Sequence, residues 1–236
     1  PLLSGFKQAK FNELSTVEKA IDNNTCAIMV EPVQGEGGVR VATGEFLKGL
    51  RGLCSKFGLL LIFDEVQSGM GRTGKFFAYQ HYGITPDILT LAKGVGGGLP
   101  LGVTIAKDRI AKLFAYGNHG STFGGNPVSV AAGLAAANLL NGRLLNNVEA
   151  TGRYFMKCLN RLKSKYPKRI KQVRGLGLMV GMELRGEGEE IVKKCFEQGI
   201  LINCTQKRVL RFLPPLIIDN GDIDRLVNTL DKILRS

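Results

Sequence analysis

The sequence predicts an α/β fold: a mostly parallel sheet with helices on both faces, followed by a small C-terminal α+β domain. Three observations carry this. Short apolar runs recur through the first half: "CAIMVE" (26–31), "LLLIFD" (59–64), "DILTLAK" (87–93) and "GVTIAK" (102–107). They are continuously apolar rather than alternating, as strands covered on both faces are. Helical segments lie between them, and strand–helix alternation implies parallel pairing. After about residue 146 the order of helices and strands changes, with Pro214–Pro215 as a break. Two domains are therefore expected, 1–145 and 146–236.

Each element has a local reason. "STVE" (15–18) has the form of a capping box, which predicts a helix start. "EPVQGEGGVR" (31–40) reads as a loop. Thr43 is placed to cap a helix running through Phe57, with Gly58 as its stop. Pro86 precedes the third apolar run. After Pro127, "VSVAAGLAAANLL" predicts an alanine-rich helix suited to close packing, and a second helix follows to about Lys165. "GLMVGMELRG" reads as a strand and "EEIVKKCFEQG" as an amphipathic helix. "ILINCT" and "VLRFLP" read as strands, and "DIDRLVNTLDKILRS" as a closing helix.

Composition excludes several classes. Of 236 residues, 44% are hydrophobic and 22% charged, ordinary for a globular chain with a sizeable core. The net charge is +12, and the segment from Arg153 to Arg174 contains many basic residues and no acid. That segment carries no recognisable nucleic-acid motif, so it is read as a solvated helix face and no nucleic-acid partner is expected. No apolar run approaches the ~18 residues that span a bilayer, so no membrane association is expected. Cys26, Cys54, Cys158, Cys195 and Cys204 sit among apolar neighbours without a C-x-x-C pair. They are read as reduced core residues of a cytoplasmic protein. His81 and His119 have no partner at ligand spacing, so no metal site is expected. "GVGGGLPLG" lacks the G-K-[ST] of a P-loop, and "GLGLMVG" runs into a strand, unlike a dinucleotide fingerprint.

The strand ends carry the chemistry, because ligands of open α/β sheets bind beyond them. Glu31 or Glu36 follows the first run, Asp64 ends the second and Lys93 ends the third. Asp64 and Lys93 can pair as a structural ion bridge. The glycines of "LAKGVGGGLPLG" favour a second reading, because they clear side chains from around one amine. A lysine freed of its proton by desolvation forms a Schiff base with an aldehyde. A pyridinium nitrogen would then be the cation that Asp64 meets.

Together, "IFDEVQSGMGRTG", "LAKGVGGGLPLG", "EPVQGEGGV" and "HGSTFGGNP" resemble the motifs of a class III aminotransferase, nearest to the acetylornithine aminotransferases. Their order is that of the family and they span essentially the whole chain. The resemblance implies the large-domain part of a fold-type I pyridoxal-phosphate transferase (1–145) and its small domain (146–236). It implies pyridoxal 5'-phosphate as cofactor, with Lys93 bound to its aldehyde and shuttling the reaction proton. Asp64 would face the ring nitrogen, and Val66 and Gln67 the ring and its phenolic oxygen. Thr122 would reach the cofactor phosphate of the neighbouring subunit, making an obligatory homodimer. Arg211 would clamp the substrate α-carboxylate, which a guanidinium does through two parallel bonds. Glu36 would be the acid that occupies an arginine and swings away for 2-oxoglutarate. Taken singly, Arg211 also reads as a strand-edge surface residue, Thr122 as a cap for the following helix and Glu36 as a loop solvator. Arg72 is read as loop structure.

The implied reaction moves an amino group from N-acetylornithine or a similar ω-amine to 2-oxoglutarate, in arginine biosynthesis. The alternatives are an ornithine or 4-aminobutyrate aminotransferase, or a catalytically impaired fragment acting only as an assembly module. A related aminomutase would carry a different residue at Gln67. The chain begins at Pro1 rather than Met, so it is expected to be part of something longer. The family's phosphate cup, a Gly-Thr or Gly-Ala turn with a stacked aromatic ring, is not found before Glu31. The 236 residues alone are therefore expected to hold the cofactor weakly and to expose the face where missing strands and helices pack.

Overall fold

The computed structural model describes residues 3–235. Helix α1 (Leu14–Ala20) starts within the expected "STVE" segment's reach, but no side-chain cap forms. Thr16 Oγ1 instead donates to the main-chain oxygen of Glu13 at 2.8 Å, from inside the helix. Strand β1 (Ala27–Val30) follows. The expected loop contains a short antiparallel hairpin, β2 (Val33–Gln34) and β3 (Arg40–Val41). Helix α2 (Gly44–Phe57) has the predicted ends: Thr43 accepts from the Phe46 N–H, and Gly58 closes it at φ 68°. Strands β4 (Leu60–Asp64), β5 (Ile88–Leu91) and β6 (Val103–Ala106) complete the first sheet.

The sheet order is β1-β4-β5-β6. β1, β4 and β5 are parallel, and β6 runs antiparallel to β5. One face is a dry core, where Leu61, Phe63, Leu89 and Leu91 pack against Phe46, Leu47, Leu50 and Leu53 of α2. The other face, with Leu60, Ile62 and Ile88, is half-buried among the described residues, and Met29 on it is 59% exposed. The continuous apolar texture of the strands thus exceeds what the described residues cover.

A short helix α3 (Asp108–Ala111) precedes α4 (Pro127–Leu139) and α5 (Gly142–Lys165). Asn126, not Thr122, caps α4, accepting from the Val128 and Ser129 N–H groups. The close packing expected of α4 is confined to one stripe. Ser129 and Gly133 are buried, whereas Val128, Leu134 and Leu139 are exposed. Helix α5 buries Val148, Gly152, Phe155, Leu159 and Leu162, one face at helical spacing. Among the described residues no single helix is long and apolar enough to cross a membrane.

The second sheet is entirely antiparallel. Its strands are β7 (Ile170–Leu176), β8 (Met179–Leu184), β9 (Asn203–Thr205) and β10 (Val209–Phe212), in the order β7-β8-β10-β9. Helices α5, α6 (Glu189–Glu197) and α7 (Asn220–Arg235) accompany it. Phe155, Leu159, Met182, Leu210, Ile223 and Leu230 belong to its core. Three cysteines are buried as expected, but Cys26 is exposed at the edge of β1 and Cys204 is half-buried.

Several contacts fasten the two halves together, among them a hairpin seat and an arginine. The β2–β3 hairpin packs Val33 and Val39 on Met179 of β8. Arg72 donates from Nη1 to the main-chain oxygens of Leu178 (3.2 Å) and Pro214 (2.6 Å). The expected loop arginine is therefore a strap between the two halves.

Candidate active site

The site lies where β1, β4 and β5 end. Parallel pairing puts Asp64 opposite Thr90, so both side chains share one face of the sheet. Lys93 follows three residues later and opens a short 3-10 turn, Lys93–Gly96. Its φ is 50°, in the left-handed region that costs a non-glycine residue about 1–3 kcal/mol and clusters at functional positions. Helix α4 backs this turn: a Cβ on Gly133 would lie 3.0 Å from the Val95 oxygen. Such close support holds the lysine's backbone in place.

Glu31, at the end of β1, connects these groups. Its half-buried carboxylate accepts from the Gly35 N–H at 3.1 Å. Burial raises its pKa. The Gly35 N–H and the Lys93 charge oppose that rise, and Asp64 adds to it. Asp64 and Lys93 thus both bear on one carboxyl group, which places the two predicted residues in a single cluster. Among the described residues they make no ion pair with each other. The structural ion-bridge reading of the pair fails on this point. Asp64 Oδ1 accepts from the Val66 N–H at 2.9 Å. Lys93 is exposed, so the burial expected around its amine is not supplied by the described residues.

A second cluster adjoins the first. Arg211, on the inner strand β10, is only 8% exposed, which excludes a surface strand-edge role. Its Nη1 donates to Glu36 Oε1 at 2.5 Å and to Gln67 Oε1 at 3.2 Å, and its Nε donates to Asn203 Oδ1 at 3.2 Å. Gln67 donates from Nε2 to Glu36 Oε1 at 3.3 Å. The Arg211 guanidinium holds the Glu36 carboxyl below its usual range, and Gln67 and Lys93 add to this. Glu36 is exposed but anchored: its main-chain oxygen accepts from Thr205 Oγ1 (2.5 Å) and Gln206 Nε2 (2.9 Å). Gly35 makes room for this arrangement, because a Cβ there would meet the Gln67 amide, 2.5 Å from Nε2.

Glu65, beside Asp64, does different work. Fully buried, it accepts from the N–H groups of Ala78 (2.6 Å) and Tyr79 (2.8 Å), and burial pushes its pKa up to about 7. Thr122 is exposed and takes no part in either cluster's hydrogen bonds. Among the described residues no group of His, Cys, Asp and Glu suits a metal ion.

The family model for aminotransferase class-III matches residues 4–234. The chain belongs to the class-III aminotransferases. Among its class-III relatives, the acetylornithine aminotransferase of Methanocaldococcus jannaschii is 53% identical over 99% of this chain and 58% of its own length. That of Caldanaerobacter subterraneus is 49% identical, over 99% and 60%. In shape, an ornithine aminotransferase from Toxoplasma gondii matches with a TM-score of 0.93 at 36% identity, over 99% of this chain and 57% of that one. An acetylornithine aminotransferase from Elizabethkingia anophelis matches at 0.91 and 34%, over 98% and 60%. This class-III chain thus spans about three fifths of the length of the curated relatives it matches.

Of the seven residues expected at a site, Asp64, Val66, Gln67, Lys93, Glu36 and Arg211 fall within the two adjoining clusters. Sequence reasoning missed Asn203, whose position opposite Arg211 depends on the β9–β10 register.

Proposed function

We propose that the full-length protein is a pyridoxal 5'-phosphate-dependent aminotransferase that moves an amino group from N-acetylornithine, or a similar ω-amine, to 2-oxoglutarate. The observation that carries this is the junction of two clusters: an amine and a carboxylate at the strand ends, beside a buried arginine occupied by an exposed acid. The identity of 53% to an acetylornithine aminotransferase supports the choice of donor. The ornithine aminotransferases matched in shape support ornithine as the second reading.

The residues present fit the cofactor. Lys93 offers an amine without an ion-pair partner among the described residues, and Asp64 keeps a second carboxylate oxygen beside the Oδ1 that the Val66 N–H holds in an Asx turn. When bound, pyridoxal phosphate supplies an aldehyde for amines and a protonated ring that draws electrons from the donor Cα. In this reading Lys93 would hold the cofactor through its aldehyde until the donor amine displaces it, and the freed Nζ would then take the proton from the donor Cα and return it. Asp64 would keep the ring nitrogen protonated, and Val66 and Gln67 would orient the ring. Glu36 occupies Arg211 while an ω-amine is bound and yields it to the carboxylate of 2-oxoglutarate. Gln67 and Asn203 steady the guanidinium in both situations. We assign residues 1–145 to the cofactor-binding part and 146–236 to the small domain; the separate cores of the two sheets support that division. Thr122 sits in an exposed segment with Phe114 and Phe123, which supports a homodimer in which it serves the neighbour's cofactor phosphate.

Borohydride reduction of the cofactor-loaded, full-length protein should fix the label on Lys93. A label elsewhere, or none, overturns the reading. Steady-state rates with N-acetylornithine, ornithine and 4-aminobutyrate as donors decide between the donor readings.

A further inference from the structure

At the opposite end of the first sheet, a carboxylate is surrounded by more positive charge than it can use. Asp87 stands just before β5, and its side chain is 1% exposed. Its Oδ2 accepts from Arg51 Nη1 (2.6 Å) and the Leu61 N–H (2.9 Å). Its Oδ1 accepts from Lys107 Nζ (3.0 Å) and Arg109 Nη2 (2.9 Å). The antiparallel course of β6 is what returns Lys107 and Arg109 to the start of β5. Burial alone would raise the Asp87 carboxyl; the Leu61 N–H and the three cations hold it well below the usual range.

These four bonds fill both oxygens, and one cation would have sufficed to neutralise them. The other donors of Arg51, Lys107 and Arg109 have no other acid among the described residues. The same side chains line an open cavity of about 490 Å³, together with Ser55. Asp87 is the only acid in that lining, so three cations against one carboxylate leave it with a net charge of +2. Two guanidinium groups and an ammonium, all partly exposed at 25%, 65% and 43%, present forked and point donors to one space. Tetrahedral oxyanions are held by this donor set. The cavity sits about one strand length, roughly 15 Å, from the Asp64–Lys93 end of the sheet.

We propose that this cavity is a second, non-catalytic anion site that takes a phosphate dianion, free or as a phosphomonoester. Charge matching selects a dianion over chloride. The bound phosphate bridges α2, through Arg51, to the end of β6, through Lys107 and Arg109, and so ties the strand to the helix.

The test uses the cofactor-loaded, full-length protein, in which the catalytic phosphate position is filled. Inorganic phosphate and glycerol 3-phosphate are titrated calorimetrically at constant ionic strength against chloride. Saturable binding of either, weakened at least about tenfold in Lys107→Gln/Arg109→Gln, supports the site. Transamination without added phosphate should be unchanged in that variant. The tighter of the two anions names the source, and equal affinities assign the site to the phosphate group itself. Arg109→Gln alone, at an exposed position, provides the same comparison should the double variant fold poorly, with a smaller loss expected. Absence of binding by both anions, or affinity equal in wild type and variants, overturns the proposal.

Discussion

Replacing Gly152 by alanine should destabilise the protein, although alanine is the better helix former. Gly152 lies in the interior of α5, where glycine-to-alanine replacement ordinarily gains about 1 kcal/mol. Here the new methyl would enter the turn between β7 and β8, 2.6 Å from the Gly177 carbonyl carbon and 2.8 Å from its Cα. The turn has no room to retreat. A methyl on Gly177 itself would lie 2.6 Å from the Thr73 oxygen, and the Leu178 N–H is bonded to the Arg72 oxygen at 3.0 Å. Forcing a methyl into packed backbone costs about 1–3 kcal/mol, and this backbone-on-backbone contact belongs at the upper end. The clash therefore exceeds the propensity gain, for a net loss of about 1–2 kcal/mol. Gly52 is the control. It lies in the interior of α2 with open space where its methyl would go, so Gly52→Ala should stabilise by up to about 1 kcal/mol. Thermal midpoints of the two variants should move in opposite directions. A Gly152→Ala protein as stable as Gly52→Ala would refute the three-layer packing of α5, turn and loop.

Arg72→Met removes two charge-assisted bonds that join the halves and should cost about 2–4 kcal/mol by urea denaturation; a loss under about 0.5 kcal/mol would show that Arg72 is not a strap. Glu65 has its pKa raised from 4.5 to about 7, so its contribution is present below 4.5 and lost as pH rises through 7. Each pH step between those two values is worth ~1.4 kcal/mol, which predicts a decline of about 3 kcal/mol in folding stability across the window. Glu65→Gln should flatten the pH profile, and an unchanged slope would assign the decline to another group. Asp64→Asn should slow turnover of the full-length enzyme at least about tenfold while leaving Lys93 open to borohydride labelling. Full turnover would remove Asp64 from the proposed chemistry.

Local signals were legible and distant ones were not. The two ends of α2 follow from Thr43 and Gly58 alone, because a cap is satisfied within a few residues. The strand ends bearing Asp64 and Lys93 follow from where apolar runs stop. Strand β7 was missed because the apolar residues of "IKQVRGL" stand three apart rather than two, with Lys171 and Gln172 side by side and exposed. The antiparallel turn of β6 was missed because a run as short as "VTIA" carries no direction. Arg72 showed no partner in sequence, since both its acceptors are main-chain oxygens more than 100 positions away. The role of Asp87 was equally hidden, because its cations come from α2, the end of β6 and the start of α3.

The residue 36 peptide is pinned by its own carbonyl to the β9–β10 hairpin, the same hairpin that carries Arg211. Acid and base therefore ride on one rigid body. Parting them takes only rotation about the bonds of a single side chain, with no loop to melt and no domain to open. Such rotations finish within nanoseconds at an exposed position, so under the proposed function, exchanging one substrate for the other need not wait on the protein's slower motions.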